Sequence, residues 1–356
     1  MKKRMTPILP DKRTSQQKRS SQQKRSSPIL FFLLFFLAVI GLLAAMFLAV
    51  SYGAKSLSLQ TVWTAVFDYQ SHVTEQQIIH ELRLPRVLGA ALVGAAFAVA
   101  GALMQGITRN PLADAGILGI NGGAMFVVAL CFAFFPGMPY SALMLFSFFG
   151  AVLSTLLIFA IGAAGGVLTP LRLTVAGAVV AALLHALSSG IAIYFDLSQD
   201  LAFWYAGGVA GVKWPQLMIL APVILIVIVW AMLLGRSLSL LSLGEDVAAN
   251  LGVKTRQVRI LGMAAAVLLA GVSVSAVGSI GFVGLVIPHI ARKLVGVNYR
   301  FVIPMSAILG AMLLVFADLA SRTVNPPREL AIGVMVALVG VPFFLYIARK
   351  EGRNLS

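Results

Sequence analysis

The chain of 356 residues carries 60% hydrophobic and 11% charged side chains, with a mean hydropathy of +0.95. A soluble globular chain has about 25% charged residues, so this one cannot cover itself with a polar surface. A soluble enzyme, a secreted disulfide scaffold and a disordered protein are excluded, and an integral membrane protein is implied.

Residues 1–28 stand apart. They hold nine of the 27 basic residues, and the hexapeptide SQQKRS occurs in tandem at 15–20 and 21–26. Such a segment buries too little apolar surface to fold, and it reads as a disordered cytoplasmic tail. A membrane-crossing helix needs about 20 apolar residues. Residues 29–50 meet that need without a charge. Further apolar stretches follow at 87–106, 116–135, 141–162, 173–195, 217–235, 260–277, 282–297, 301–317 and 330–348. The expectation is an all-α protein with about ten crossings: a membrane domain over 29–350 and a short cytoplasmic end at 351–356. No charged residue interrupts 260–291. The glycines of GSIG (278–281) are its natural break, and a tight hairpin is expected there. Gly89, Gly94, Gly101 and Gly106 punctuate the second stretch, where small residues let helices approach closely.

Lysine and arginine set orientation, because cytoplasmic loops retain positive charge. With both termini inside, 21 of the 27 basic residues fall on the cytoplasmic side. The six outside are Lys55, Arg83, Arg86, Lys213, Arg322 and Arg328. The net charge of +15 is thus mostly a topology signal, and no nucleic-acid partner is needed. No Asp, Glu, Lys or Arg falls at an expected midplane. An ion-coupled transporter keeps such a residue there, so the driving energy is expected from elsewhere. His185 is the ionisable side chain placed deepest, either packed or hydrogen-bonded, or lining a pathway.

Four segments carry patterns. RLPR (83–86) places Pro85 at an expected helix start and presents Arg83 and Arg86 together, as interfacial anchors or as a docking point. GALMQGITRNPLADAGILGINGGA (101–124) contains the turn Asn110–Pro111. LGEDVAANLGV (243–253) reads as a short helix, with Glu245 and Asp246 in its first turn and Gly252 as its stop. GSIGFVGLVIPHIARKLVGVNYR (278–300) is followed by ADLASR (317–322) and ELAIGVMVALVGVPFFLY (329–346). Pro288 kinks a short helix, and His289 beside it has no companion ligands, so no metal site is expected. No phosphate loop G-x-x-x-x-G-K-[ST] occurs, and no cofactor motif is present. The chain is read as no enzyme.

In order and spacing these motifs resemble the FecCD/BtuC family, permease subunits of type II ATP-binding-cassette importers for iron–siderophores, haem and cobalamin. The resemblance covers roughly 29–350. It implies two ATPase subunits, an external substrate-binding lipoprotein or periplasmic protein, and a second permease copy or paralogue. Ferric siderophore is the implied cargo ahead of haem or cobalamin, in the cytoplasmic membrane of a bacterium. It also implies site roles. Arg83, Arg86 and Arg322 would meet glutamates of the binding protein. Leu243, Gly244, Glu245, Asp246, Ala249, Leu251, Gly252 and Val253 would form the coupling helix for the ATPase. Thr169, Pro170 and Leu171 would lie at the cytoplasmic gate, although Pro170 and Leu171 depart from the small hydroxyl residues of many relatives. His185 would line the path.

Overall fold

A computed structural model describes residues 28–53, 57–164, 170–326 and 328–352. The basic tail and Thr169 lie outside the described residues. Every element among the described residues is helical. That is the solution lipid demands of an open chain, since helices satisfy their backbone polar groups internally.

In chain order the helices are α1 (Pro28–Ser51), α2 (Leu59–Phe67), α3 (Thr74–Thr108), α4 (Ile120–Phe134), α5 (Tyr140–Ala164), α6 (Pro170–Tyr194), α7 (Ser198–Ala206), α8 (Trp214–Leu241), α9 (Glu245–Asn250), α10 (Thr255–Val277), α11 (Val283–Val295), α12 (Tyr299–Thr323) and α13 (Ile332–Gly352). Seven are long and apolar enough to cross a membrane: α1, α3, α5, α6, α8, α10 and α12. The remaining three expected stretches fall on the shorter α4, α11 and α13.

The bundle is built around α3. Its apolar window is 83% buried, against 11% for that of α1, which lies at the periphery. The sequence of α3 explains this position. Gly94 faces the backbone of Gly310 on α12, and Gly101 faces the backbone of Gly284 on α11. A Cβ at either site would strike main-chain atoms. Because lipid is as apolar as the side chains, close backbone packing rather than hydrophobic drive holds such crossings. Gln105 on α3 adds a buried bond, its Nε2 donating to the Gly284 carbonyl at 3.0 Å.

One expectation holds with an addition and one is corrected. Pro85 does stand at the start of an α-helical segment, Leu84–Thr108, but that segment continues a helix already running: α3 starts eleven residues earlier, and a π-helical stretch over Ile78–Arg83 leads into Leu84. The wide turn, closed by the Leu84 N–H on the Ile79 carbonyl, shifts the hydrogen-bond register just before the residue that lacks a donor. The chain does break at GSIG, but not as a hairpin of paired helices. After Val277 the backbone turns away, its carbonyl bound by the Gly208 N–H at 2.8 Å. The Gly101–Gly284 contact then draws α11 onto α3 rather than along α10.

Candidate functional site

The fold gathers chemistry at its two ends. At one end meet the C-terminus of α1, the start of α3 and the C-terminus of α12. The last carbonyls of α1 have no intrahelical partner. Arg83 Nη1 donates to the carbonyls of Val50 and Ser51, at 2.7 and 2.9 Å. Arg322 Nη2 donates to Ala49 O at 2.9 Å, and its Nη1 to Tyr52 O at 3.2 Å. Two cations thus sit on the negative pole of the α1 dipole, where they are favoured.

Two carboxylates bind Arg322 and the neighbouring Arg86. Asp318, fully buried one turn before Arg322, contacts Arg322 Nη2 at 3.0 Å and Arg86 Nε at 2.8 Å. Glu329 accepts both Nη atoms of Arg86 at 2.9 Å, a bidentate pair. The Leu330 N–H bond to the Ser321 carbonyl holds the loop that carries Glu329 against α12. Arg83, Arg86, Arg322, Lys213 and Glu329 line a cavity of about 340 Å³.

Arg83 and Arg86 therefore do not stand out together on the surface. Arg83 is 8% exposed and turned inward. The physical reason is the α1 terminus, whose open carbonyls need donors. Asp318 and Glu329 escaped the sequence reading. The i, i+4 spacing of Asp318 and Arg322 in ADLASR was the available signal.

The Arg86 guanidinium bonded to Glu329 holds that carboxyl below the usual glutamate range. A lowered folded value means the pair stabilises fully above the ordinary glutamate pKa and is lost as pH falls through the depressed value. The expected outcome is a stability difference between parent and Glu329→Gln that is constant from pH 7 to about 5 and vanishes on further acidification. Thermal unfolding of both proteins across that range would check it.

At the other end, α9 forms a small knob. Gly244 precedes it, and Glu245 and Asp246 occupy its first turn. Glu245 turns inward to Arg259 Nη2 at 2.8 Å. The N–H groups of Gly252 and Val253 close the far end on the carbonyls of Ala249 and Ala248, and Gly252 takes a positive φ of 80° that side chains resist. Ala248 is buried beneath. Leu243, Val247 and Leu251, spaced by four, are all exposed. With Ala249 also exposed, the knob presents an apolar ridge on a rigid base. Val247 falls inside the expected stretch 243–253, although it is not among the positions singled out there.

Of the other expected positions, Pro170 and Leu171 open α6. His185 lies on an exposed side of α6, with Nδ1 2.6 Å from the Tyr205 hydroxyl of α7. It is hydrogen-bonded but not packed into the core. Val175, Val179, Leu183 and Leu187 leave much of the same helix apolar and uncovered.

A many-helix apolar bundle with an arginine-lined cavity at one end and a small knob with an exposed apolar ridge at the other is the architecture of a multi-pass membrane protein. The sequence profile of the FecCD transport family matches residues 41–350, and the chain belongs to that family. It is 51% identical over 310 residues to the iron(3+)-hydroxamate import system permease protein FhuB of Bacillus subtilis, covering 87% of this chain and 81% of that one. The iron-uptake system permease protein FeuB of the same organism is 42% identical over 309 residues, covering 86% and 92%. Among solved structures, a metal-chelate type ABC transporter in an inward-facing conformation superposes with a TM-score of 0.79. It is 30% identical, with 89% of this chain and 99% of that chain covered.

Proposed function

We propose that this chain is the permease subunit of an ATP-driven importer of ferric hydroxamate siderophores in a bacterial cytoplasmic membrane. The observation that carries this reading is the 51% identity to the hydroxamate permease FhuB, sustained over 310 residues. The chain contributes no covalent chemistry, and ATP hydrolysis comes from two partner ATPase subunits. A second permease copy or paralogue completes the pathway, with the exposed side of α6, including His185, facing it.

The bias of basic residues toward one side supports the orientation. It puts both termini and α9 in the cytoplasm and the Arg83–Arg86–Arg322 cavity outside. Ten crossings follow if the short helices α4, α11 and α13 also span. An external binding protein then docks over the cavity. Its acidic side chains enter among Arg83, Arg86, Arg322 and Lys213, and exchange with Glu329 for the Arg86 fork. On the cytoplasmic side, the ridge of Leu243, Val247 and Leu251 seats in an ATPase cleft and carries motion into α8 and α10, which flank it.

Uptake of radiolabelled iron by a strain lacking this gene tests the reading. Loss of ferric hydroxamate uptake, restored by the gene, is expected. Loss confined to haem or cobalamin would overturn the substrate. The knob makes a separate prediction. Val247→Glu with Leu251→Glu adds charge to exposed positions, so stability should shift by no more than about 0.5 kcal/mol. Co-purification with the ATPase should nevertheless be lost. Unchanged ATPase recovery would contradict the coupling role.

A further inference from the structure

Helix α2 has no role in the transport reading, yet its nine residues divide cleanly by face. Val62 and Ala65 are buried against the protein. Leu59, Trp63, Val66 and Phe67 form a second face, and all four are exposed, from 42% to 68%. Gln60, Thr61 and Thr64 form the third, polar and uncharged. At 3.6 residues per turn each face takes about a third of the circumference.

Such a helix has three different surroundings, and the apolar one is open in the isolated chain. What covers it follows from its neighbours. Helix α2 packs beside α1, whose outward side is apolar over Phe36, Leu37, Ile40, Leu43 and Leu48. That side faces hydrocarbon, because α1 is long, apolar and barely buried. The open face of α2 continues this lipid surface around the end of α1. Trp63 and Phe67 pair their rings at 4.4 Å, and the exposed Tyr52 and Tyr69 stand at the same end. Tryptophan and tyrosine at a helix end mark the boundary between headgroups and acyl chains.

We infer that α2 lies flat in the phospholipid interface at the Arg83 end, with Leu59, Trp63, Val66 and Phe67 inserted into the acyl boundary and Gln60 and Thr64 toward water. In the orientation proposed above this is the outer leaflet, but the inference holds for either leaflet. An acidic binding-protein surface is a poor occupant, since α2 carries no charge to meet it.

The helix is also tied to the site. The loop after it folds back onto α3, with the Gln70 N–H bound to Gln76 Oε1 at 2.6 Å and Gln77 Nε2 to the Ser71 carbonyl at 2.5 Å. Trp214 Nε1 donates to His80 O at 2.9 Å, and Tyr69 stacks on the His80 ring at 4.3 Å. The loop that follows α2 is thus bonded to the residues that lead into and begin the π-helical turn carrying Arg83.

Nitroxide labels test this in the assembled transporter, reconstituted in phosphatidylcholine–phosphatidylglycerol nanodiscs. Single cysteines would be placed by Trp63→Cys, Phe67→Cys, Gln60→Cys and Thr64→Cys, with Cys131→Ala as background. At positions 63 and 67, collision with oxygen relative to a water-soluble nickel chelate should exceed that at 60 and 64 by about threefold or more. Adding binding protein should not change it. Equal nickel access at all four positions would overturn the inference. Shielding of 63 and 67 that appears only with the binding protein would assign the face to that partner and overturn it too.

Discussion

Asp318→Ala is expected to destabilise the protein by about 3–5 kcal/mol, because it leaves the buried Arg322 guanidinium without its carboxylate, while the half-buried Arg86 keeps only Glu329. Asp318 is fully buried and touches both Arg86 and Arg322. Arg322 in turn holds the last turn of α1. The substitution should therefore loosen α1 as well as the cavity. Glu329→Gln offers the contrast. Glu329 binds the same arginine, but its side chain is 46% exposed, and an exposed pair contributes about 0–1 kcal/mol. Chemical unfolding of the three proteins in one detergent would check the order. An Asp318→Ala protein as stable as the parent would show that the cluster does not clamp α1.

Gly101→Val is the second large effect. Its Cβ would meet the backbone of Gly284, not the tip of a movable side chain, so α3 and α11 must separate. Overpacking a core costs about 1–3 kcal/mol where side chains can yield, and more is expected here. The expected result is failure to recover a monodisperse protein in detergent. Gly190→Ala on α6 is the matched control, since nothing lies within 4 Å of its added Cβ. It should be neutral or gain up to about 1 kcal/mol from helix propensity. A well-behaved Gly101→Val protein would mean that the α3–α11 crossing is not close-packed.

These two effects differ in how far the sequence discloses them. Gly101 belongs to a visible rhythm of small residues, and close packing on that face follows from composition. Its partner Gly284 does not, because nothing in the string aligns residues 101 and 284. The same holds for the arginines. RLPR is conspicuous, but the carbonyls that absorb Arg83 belong to residues 50 and 51, about thirty positions away. Surface presentation follows from the string alone, whereas the end of α1 packed beside α3 draws Arg83 inward. Seven of the ten apolar runs coincide with helices long and apolar enough to cross a membrane, because crossing length is a local property, and the other three fall on the shorter α4, α11 and α13. Helices α2 and α7, at nine residues each, are too short for that measure. The α9 knob was legible, because glycines and acids mark a short helix by local rules. Its working ridge is only half legible, since the partner of Glu245, Arg259, lies on the next helix and the exposure of Val247 depends on which face that helix covers.

The most direct test of the central claim is transport by purified components. The permease, with its ATPase and binding protein, would be reconstituted in proteoliposomes and given ferric hydroxamate on the binding-protein side. The account predicts accumulation that requires ATP on the opposite side, requires the binding protein, and is abolished by Val247→Glu with Leu251→Glu. Accumulation at the same rate without ATP or without the binding protein would contradict it and make the chain a transporter in its own right.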